Sequence, residues 1–207
     1  MIEIKYNKLT TLLERYPTYI EIIKEKYLAL LRQLTETPDL NTDLFANNVK
    51  KISETGSIIV CYIENPLSRD FKIIGSGTII IEPKLIRGGK CVGHIEDIVA
   101  SSEYRGKGIG KDLIGLLQEE GREKNCYKII LDCVEDLEEF YCKNGFKKKG
   151  IQMALQPKYM SMHPMGVYDL LDSVTIVGGE VVKLSGTSTT GTDLHVYDVN
   201  GAVNSNR

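Results

Sequence analysis

The sequence predicts an α/β domain built around one sheet, followed by a β-rich or flexible C-terminal extension. Three observations predict it: an amphipathic helical stripe near the start, β-branched apolar runs after it, and then alternating helical and strand patterns. Ile20, Ile23, Tyr27, Leu30, Leu31 and Leu34 recur at spacings of three and four, one apolar face of a helix. Pro17 stands at or before its start, and Thr37-Pro38 ends it. A second helix follows Asn41 to Asp43 and carries Leu44, Val49 and Ile52. Residues 57–63 are β-branched and apolar, the first strand. Asn65-Pro66 marks a turn, and 71–81 is a second strand with Gly75 and Gly77 as bulge points. Gly88-Gly89 turns the chain into a third strand over 93–100. Residues 106–123 return to a helical pattern, with Leu113, Ile114, Leu116 and Leu117 facing inward. A strand over 128–133, a short helix over 135–142 capped by Asn144-Gly145, and a final strand over 146–155 complete the order ααβββαβαβ.

Composition shifts near Pro157. Residues 157–207 carry Lys158, Lys183 and Arg207 against Asp169, Asp172, Glu180, Asp193 and Asp198. The chain's formal charge of −2 therefore lies in this tail, and residues 1–156 balance to zero. A boundary at 156 divides a domain from an extension rich in Gly, Ser, Thr and Val. In the extension, 173–177 and 180–184 flank Gly178-Gly179 as a hairpin, and 194–199 reads as a further strand. No apolar run approaches the about 20 residues that cross a bilayer. Met1 to Lys5 lack the basic start and apolar run of a secretory signal. The near-zero charge gives no support for nucleic-acid binding. Cys61, Cys91, Cys126, Cys133 and Cys142 are odd in number with no C-x-x-C spacing, which points to free thiols in a reducing cytoplasm rather than a disulfide framework or a zinc site. His94, His163 and His195 form no metal cluster, and His94 on a strand reads as structural.

Arg105-Gly106-Lys107-Gly108-Ile109-Gly110 is the most informative stretch. It follows a predicted strand and opens a predicted helix. Its glycines allow a tight turn and close approach to a ligand. The free N–H groups and positive dipole end of the helix attract phosphate oxygens, and Arg105, Lys107 and Lys111 add charge there. Neither the Rossmann nor the P-loop spacing fits.

Arg105, Gly108 and Gly110 resemble the R/Q-x-x-G-x-G/A motif of the GNAT superfamily of acetyl-CoA-dependent N-acetyltransferases. Residues 93–99, 126–133, Leu34-Thr35-Glu36-Thr37, Phe140-Tyr141 with Gly145-Phe146, and Gln152-Met153 resemble its glucosamine-6-phosphate N-acetyltransferase branch, over roughly 28–156. The resemblance implies a mixed, mostly antiparallel sheet flanked by helices, acetyl-CoA as co-substrate without a metal, and a homodimer. It implies that 105–111 bind the CoA pyrophosphate, that the pantetheine arm pairs along Glu96, Asp97 and Ile98, and that the Ile98 N–H polarises the thioester carbonyl.

By the same resemblance Asp132 is the base for the amine and Asp97 contacts the sugar; the reading of the residues alone leaves Asp132 open as a cap for the next helix. Tyr141 is the general acid for the departing thiolate, or else one half of an aromatic core pair. Thr35, Lys84, Leu85, Ile86, Arg87, Tyr127 and Lys128 fall on substrate-binding positions, the last two reaching the substrate from the neighbouring subunit. Arg87 stands where the family usually has His. Leu155 and Gln156 stand where it has an Arg, so either Lys158 substitutes or phosphate binding is weaker. Leu137 replaces an Asn on the CoA side. The alternatives are a GNAT enzyme acting on another amine (a protein N-terminus, a lysine or a polyamine) and a non-catalytic CoA-binding module.

Overall fold

The computed structural model describes residues 3–64, 71–155, 171–177 and 180–186. The chain divides into two compact units, Met1–Gln152 and Met153–Arg207. The first unit is a five-stranded sheet in the order β1 (Ile4–Lys8), β2 (Gly56–Glu64), β3 (Phe71–Pro83), β4 (Cys91–Ala100) and β5 (Cys126–Ile130). The first four strands pair antiparallel, and β4 and β5 run parallel. The mixed, mostly antiparallel sheet is as expected.

β1 and the helix after it, α1 (Leu9–Arg15), are additions to the predicted order. Ile4 and Tyr6 alternate over too few residues to announce a strand; the ladder with β2 supplies what local pattern does not. The next helix, α2, runs over Ile20–Leu31, a turn shorter than its apolar stripe, with Pro17 in the short 3₁₀ turn before it. Helix α3 (Thr42–Thr55) starts at Asn41, whose side chain accepts a bond from the Leu44 N–H at 2.8 Å.

Two apolar layers sandwich the sheet. Leu9, Leu12, Ile23, Tyr27, Phe45 and Val49 of α1–α3 pack on Ile58, Val60, Tyr62 and Val99. Helix α4 (Ile109–Glu123) covers the other face, where Ile109, Leu113 and Leu117 meet Ile59, Ile79 and Ile95. Gly121 lets α4 approach Ile129, whose side chain lies 2.6 Å from where a Cβ would stand. A 3₁₀ turn over Glu135–Leu137 leads into α5 (Glu138–Lys143).

Two predicted strands need correction. β5 ends at Ile130, not at 133, because the ladder with β4 stops at the His94–Ile130 pair. Residues 146–155 are not a strand. Ile151, Met153 and Leu155 do alternate like one, but they are 93 %, 92 % and 90 % exposed, and among the described residues no strand is hydrogen-bonded to them. The predicted hairpin is present in the second unit as β6 (Leu171–Val177) and β7 (Glu180–Gly186), antiparallel. The strand expected over 194–199 lies outside the described residues. Among the described residues no helix is long and apolar enough to cross a membrane.

Candidate active site

The geometry of the site begins with a defect in the β3–β4 ladder. Ser76 pairs with Val99, and the next pair is Thr78 with Glu96. Gly77 therefore faces two residues, Asp97 and Ile98, and β4 bulges there. Asp97 takes φ +52, a left-handed conformation unusual for a residue with a side chain. The Ile98 side chain fills the space a residue-77 side chain would need, with Cδ1 2.4 Å from the position of a Cβ. Thus Gly77 and the bulge require one another. Ser76, fully buried, bonds the Tyr27 hydroxyl of α2 at 3.3 Å. Burial, with the Asp97 charge nearby, pushes the Tyr27 phenol up to about 12.

Beyond His94, β4 runs on to Ala100 while β5 has ended, so β4 keeps an edge there that β5 does not pair. This is the stretch carrying Glu96, Asp97 and Ile98. At its far end Ser101 leads through a 3₁₀ turn (Ser102–Tyr104) into the glycine loop. Gly106 at φ +76 and Gly108 at φ +84 make the turn, and Gly108 is the N-cap of α4. Gly108 has no side chain to cap the helix, so the first-turn amides stay available to a ligand. Arg105, Gly106, Lys107, Gly108 and Lys111 are exposed, and Ile109 is anchored in the core. Lys107 lies over the Tyr104 ring at 4.6 Å. A helix N-terminus with exposed cations, next to an unpaired strand edge, suits a pyrophosphate followed by an extended amide-bearing arm.

Tyr141 of α5 reaches the same end of the sheet. Phe140 packs 3.2 Å from where a Cβ on Gly110 would stand, which fixes α5 against the first turn of α4. Tyr141 is 8 % exposed and meets Phe140 and Phe146 edge-on. Burial, then the neighbouring Cys133, raises its phenol above the usual tyrosine range. Of the two readings of this residue, the structure shows the ring as one half of an aromatic core pair.

Asp132 differs from expectation. It lies past the end of β5, is exposed, and accepts a bond from Gln152 Nε2 at 2.8 Å. It does not cap the next turn, whose N-cap is Val134. Burial raises the Glu96 carboxyl, and the charges of Asp97 and Asp132 raise it further, so the three carboxylates share one neighbourhood.

Most of the other residues expected to bind substrate lie around the Tyr127 ring and Glu82. Arg87, at φ +58, places its guanidinium 5.9 Å from the Tyr127 ring centre, and Lys128 Nζ lies 5.8 Å from the same centre. Leu85 and Ile86 are exposed. Lys84 pairs with Glu82, whose other oxygen meets His94 Nε2 at 3.0 Å. His94, read as merely structural, thus joins the lysine to the strand. The alternation Glu82, Lys84 and His94, Glu96 was the signal for this row. The row continues on β5, where Lys128 faces Val92 and Ile130 faces His94. Thr35 is exposed beside Arg32, Glu36, Thr37 and Pro38. Gln33, two residues before Thr35, accepts from the Ser102 N–H at 2.9 Å and ties that segment to the entrance of the glycine loop. Leu137 is 45 % exposed at the N-cap of α5. Lys158 lies outside the described residues. Among them no group of His, Cys, Asp and Glu is placed to hold a metal ion.

The model of the acetyltransferase (GNAT) family matches residues 21–146. The chain belongs to the GNAT acetyltransferase family. Glucosamine 6-phosphate N-acetyltransferase 1 of Dictyostelium discoideum is 43 % identical over 143 residues, 67 % of this chain and 87 % of that protein. The glucosamine 6-phosphate N-acetyltransferase of Trypanosoma brucei brucei is 43 % identical over 129 residues, 62 % of this chain and 86 % of that protein. A crystal structure of glucosamine-6-phosphate N-acetyltransferase from Arabidopsis thaliana superposes with a TM-score of 0.59 at 34 % identity, covering 74 % of this chain and 98 % of that one. As a GNAT protein the chain is an acetyl-CoA-dependent N-acetyltransferase.

Proposed function

We propose that this protein transfers the acetyl group of acetyl-CoA to the amine of D-glucosamine 6-phosphate, giving N-acetylglucosamine 6-phosphate and CoA. The observation that carries the reading is the 43 % identity to two enzymes of that name across 86–87 % of their lengths, joined to a glycine loop beside an unpaired strand edge in this chain. The amines of 105–111 hold the pyrophosphate together with the first-turn amides of α4. The Ile98 N–H, aimed by the bulge, polarises the thioester carbonyl. Asp132 assists loss of the amine proton, directly or through water, and the amine attacks the carbonyl in a ternary complex. The C–S bond then breaks and Tyr141 protonates the leaving thiolate. Asp97 and Thr35 orient the sugar.

Lys84, Arg87, Tyr127 and Lys128 receive the phosphate, and Lys158 substitutes for the family arginine. The active form is a homodimer in which Tyr127 and Lys128 serve the neighbouring site, as the family resemblance implies. The exposed alternation of Ile151, Met153 and Leu155 supplies apolar surface for such a contact. Residues 1–156 form the catalytic domain and 157–207 an extension; the enzyme works in the cytoplasm on the route to UDP-N-acetylglucosamine.

The test is turnover with glucosamine 6-phosphate against glucosamine, peptides and polyamines, with sedimentation velocity on the same sample. A strong preference for the phosphorylated sugar is expected. Equal or better turnover of a peptide or polyamine would overturn the substrate, and a monomer with full activity would overturn the shared site.

A further inference from the structure

The first residues of β4 and β5 are both cysteines, and they are direct partners in the parallel ladder. We propose that Cys91 and Cys126 form a reversible disulfide site, oxidised by low-molecular-weight disulfides of the glutathione class. Neighbouring strands run about 4.8 Å apart, within the 4.4–6.8 Å of Cα separation that a disulfide spans. The two residues are direct ladder partners at one end of the sheet, which brings their Cα atoms to that separation. The Cys126 thiol is raised by burial first and then by Cys91.

Both cysteines stand where the backbone can give. Asn125, before Cys126, turns at φ +57, and the β4–β5 register breaks immediately after the Cys91–Cys126 pair, leaving Tyr127 out of the ladder. Both are half-buried. Cys91 also lines a cavity of about 430 Å³ together with the exposed Lys8, Glu54 and Lys124, which gives a small reagent access. The other thiols are placed differently. Cys61 is fully buried, its thiol pushed up to about 11 by burial, and its ladder partners are Tyr6 and Gly75. Cys133 and Cys142 are exposed and lie outside the sheet.

The step is thiol–disulfide exchange. One cysteine thiolate attacks a sulfur of oxidised glutathione, forming a mixed disulfide and releasing one glutathione thiolate. The second cysteine thiolate attacks the protein sulfur of that mixed disulfide, closes the Cys91–Cys126 bond and releases the second glutathione. Two electrons pass from the cysteine pair to the glutathione disulfide, and the two thiol protons end on the two glutathiones. Because Tyr127 follows Cys126, the bridge couples redox state to the ring that carries Arg87 and Lys128. That consequence rests on the phosphate-site reading; the disulfide itself does not.

The experiment treats the full-length protein with oxidised glutathione near about pH 8.5, the ordinary thiol pKa. Remaining thiols are alkylated, and the unreduced digest is mapped by mass spectrometry. A cross-linked peptide pair joining Cys91 to Cys126 is expected, lost with dithiothreitol and absent from both Cys91→Ser and Cys126→Ala. Recovery of both residues alkylated or glutathionylated without the cross-link overturns the proposal. So does a cross-link joining either to another cysteine.

Discussion

Ile98 is wedged against Gly77 and Leu117 on the inner side of β4, whereas Lys128, one strand away, is exposed and lies over the face of Tyr127. The contrast runs through the whole site. At the cofactor end each functional group hangs from packed structure: the bulge from Gly77 and the Tyr27–Ser76 pair, the glycine loop from Ile109, and Tyr141 from its two aromatic neighbours. At the proposed phosphate end Lys84, Arg87 and Lys128 stand on a loop and an edge strand, and their contacts are with one another's neighbours. One chain determines the first geometry and leaves the second open. A cofactor site made of backbone needs rigid support, because an N–H cannot be aimed by a rotamer.

The sharpest way to break this comparison is Gly77→Ala. Its Cβ would stand 2.4 Å from Ile98 Cδ1 and 2.9 Å from Leu117 Cδ1. Overpacking of this kind costs about 1–3 kcal/mol. The displaced Ile98 N–H should lower kcat by on the order of 10²-fold, the typical effect of losing one oxyanion donor. Denaturant unfolding and initial rates check both parts. A variant that unfolds earlier yet keeps its kcat would separate the bulge from catalysis.

Tyr141→Phe comes next. It keeps the aromatic packing and removes the proton donor, so kcat should fall by about 10²-fold with acetyl-CoA affinity unchanged by calorimetry. The pH profile adds a signed test. Burial raises the phenol above its usual 10, and a general acid acts while protonated, so the loss of kcat from its ionisation belongs above pH 10. An alkaline limb well below that value, present in the wild type and absent in Tyr141→Phe, would contradict the burial seen here.

Lys128→Ala tests the open end. It should raise KM for glucosamine 6-phosphate by about tenfold, equivalent to about 1.4 kcal/mol, with kcat and the KM for acetyl-CoA nearly unchanged. Unphosphorylated glucosamine, turned over poorly by both proteins, should show no difference. An equal loss on both sugars would move Lys128 from phosphate binding to general structure.

The same division decides what could be read from the sequence. The glycine loop, the α4 stripe and Tyr141 were legible because each depends on local pattern or on a motif contiguous in the chain. Gly75 and Gly77 announced irregularity in β3, though not that the extra residue would lie opposite, at Asp97 and Ile98. The pairing of Tyr27 with Ser76 spans 49 residues and leaves no periodic trace. Residues 146–155 misled for a physical reason: their alternation is that of a strand, but a strand is a property of a pair, and none of the described residues is a hydrogen-bonded neighbour to them. Asp132 was expected at the end of a buried strand, whereas β5 stops two residues earlier because its ladder with β4 ends.

The smallest expected effect concerns the support of the bulge from behind. Tyr27→Phe removes a hydroxyl that is buried together with Ser76, one ladder position from the bulge. Stability should drop by about 1–3 kcal/mol, since Ser76 loses a buried partner. If the pair steadies Asp97 in its left-handed conformation, kcat falls too, by less than about tenfold. Ser76→Ala should behave alike, and the double variant should cost little more than either single one, because both remove the same bond. Additive losses would mean that the two hydroxyls act separately, and the cofactor end would then owe its rigidity to Gly77 and the packing of α4 rather than to α2.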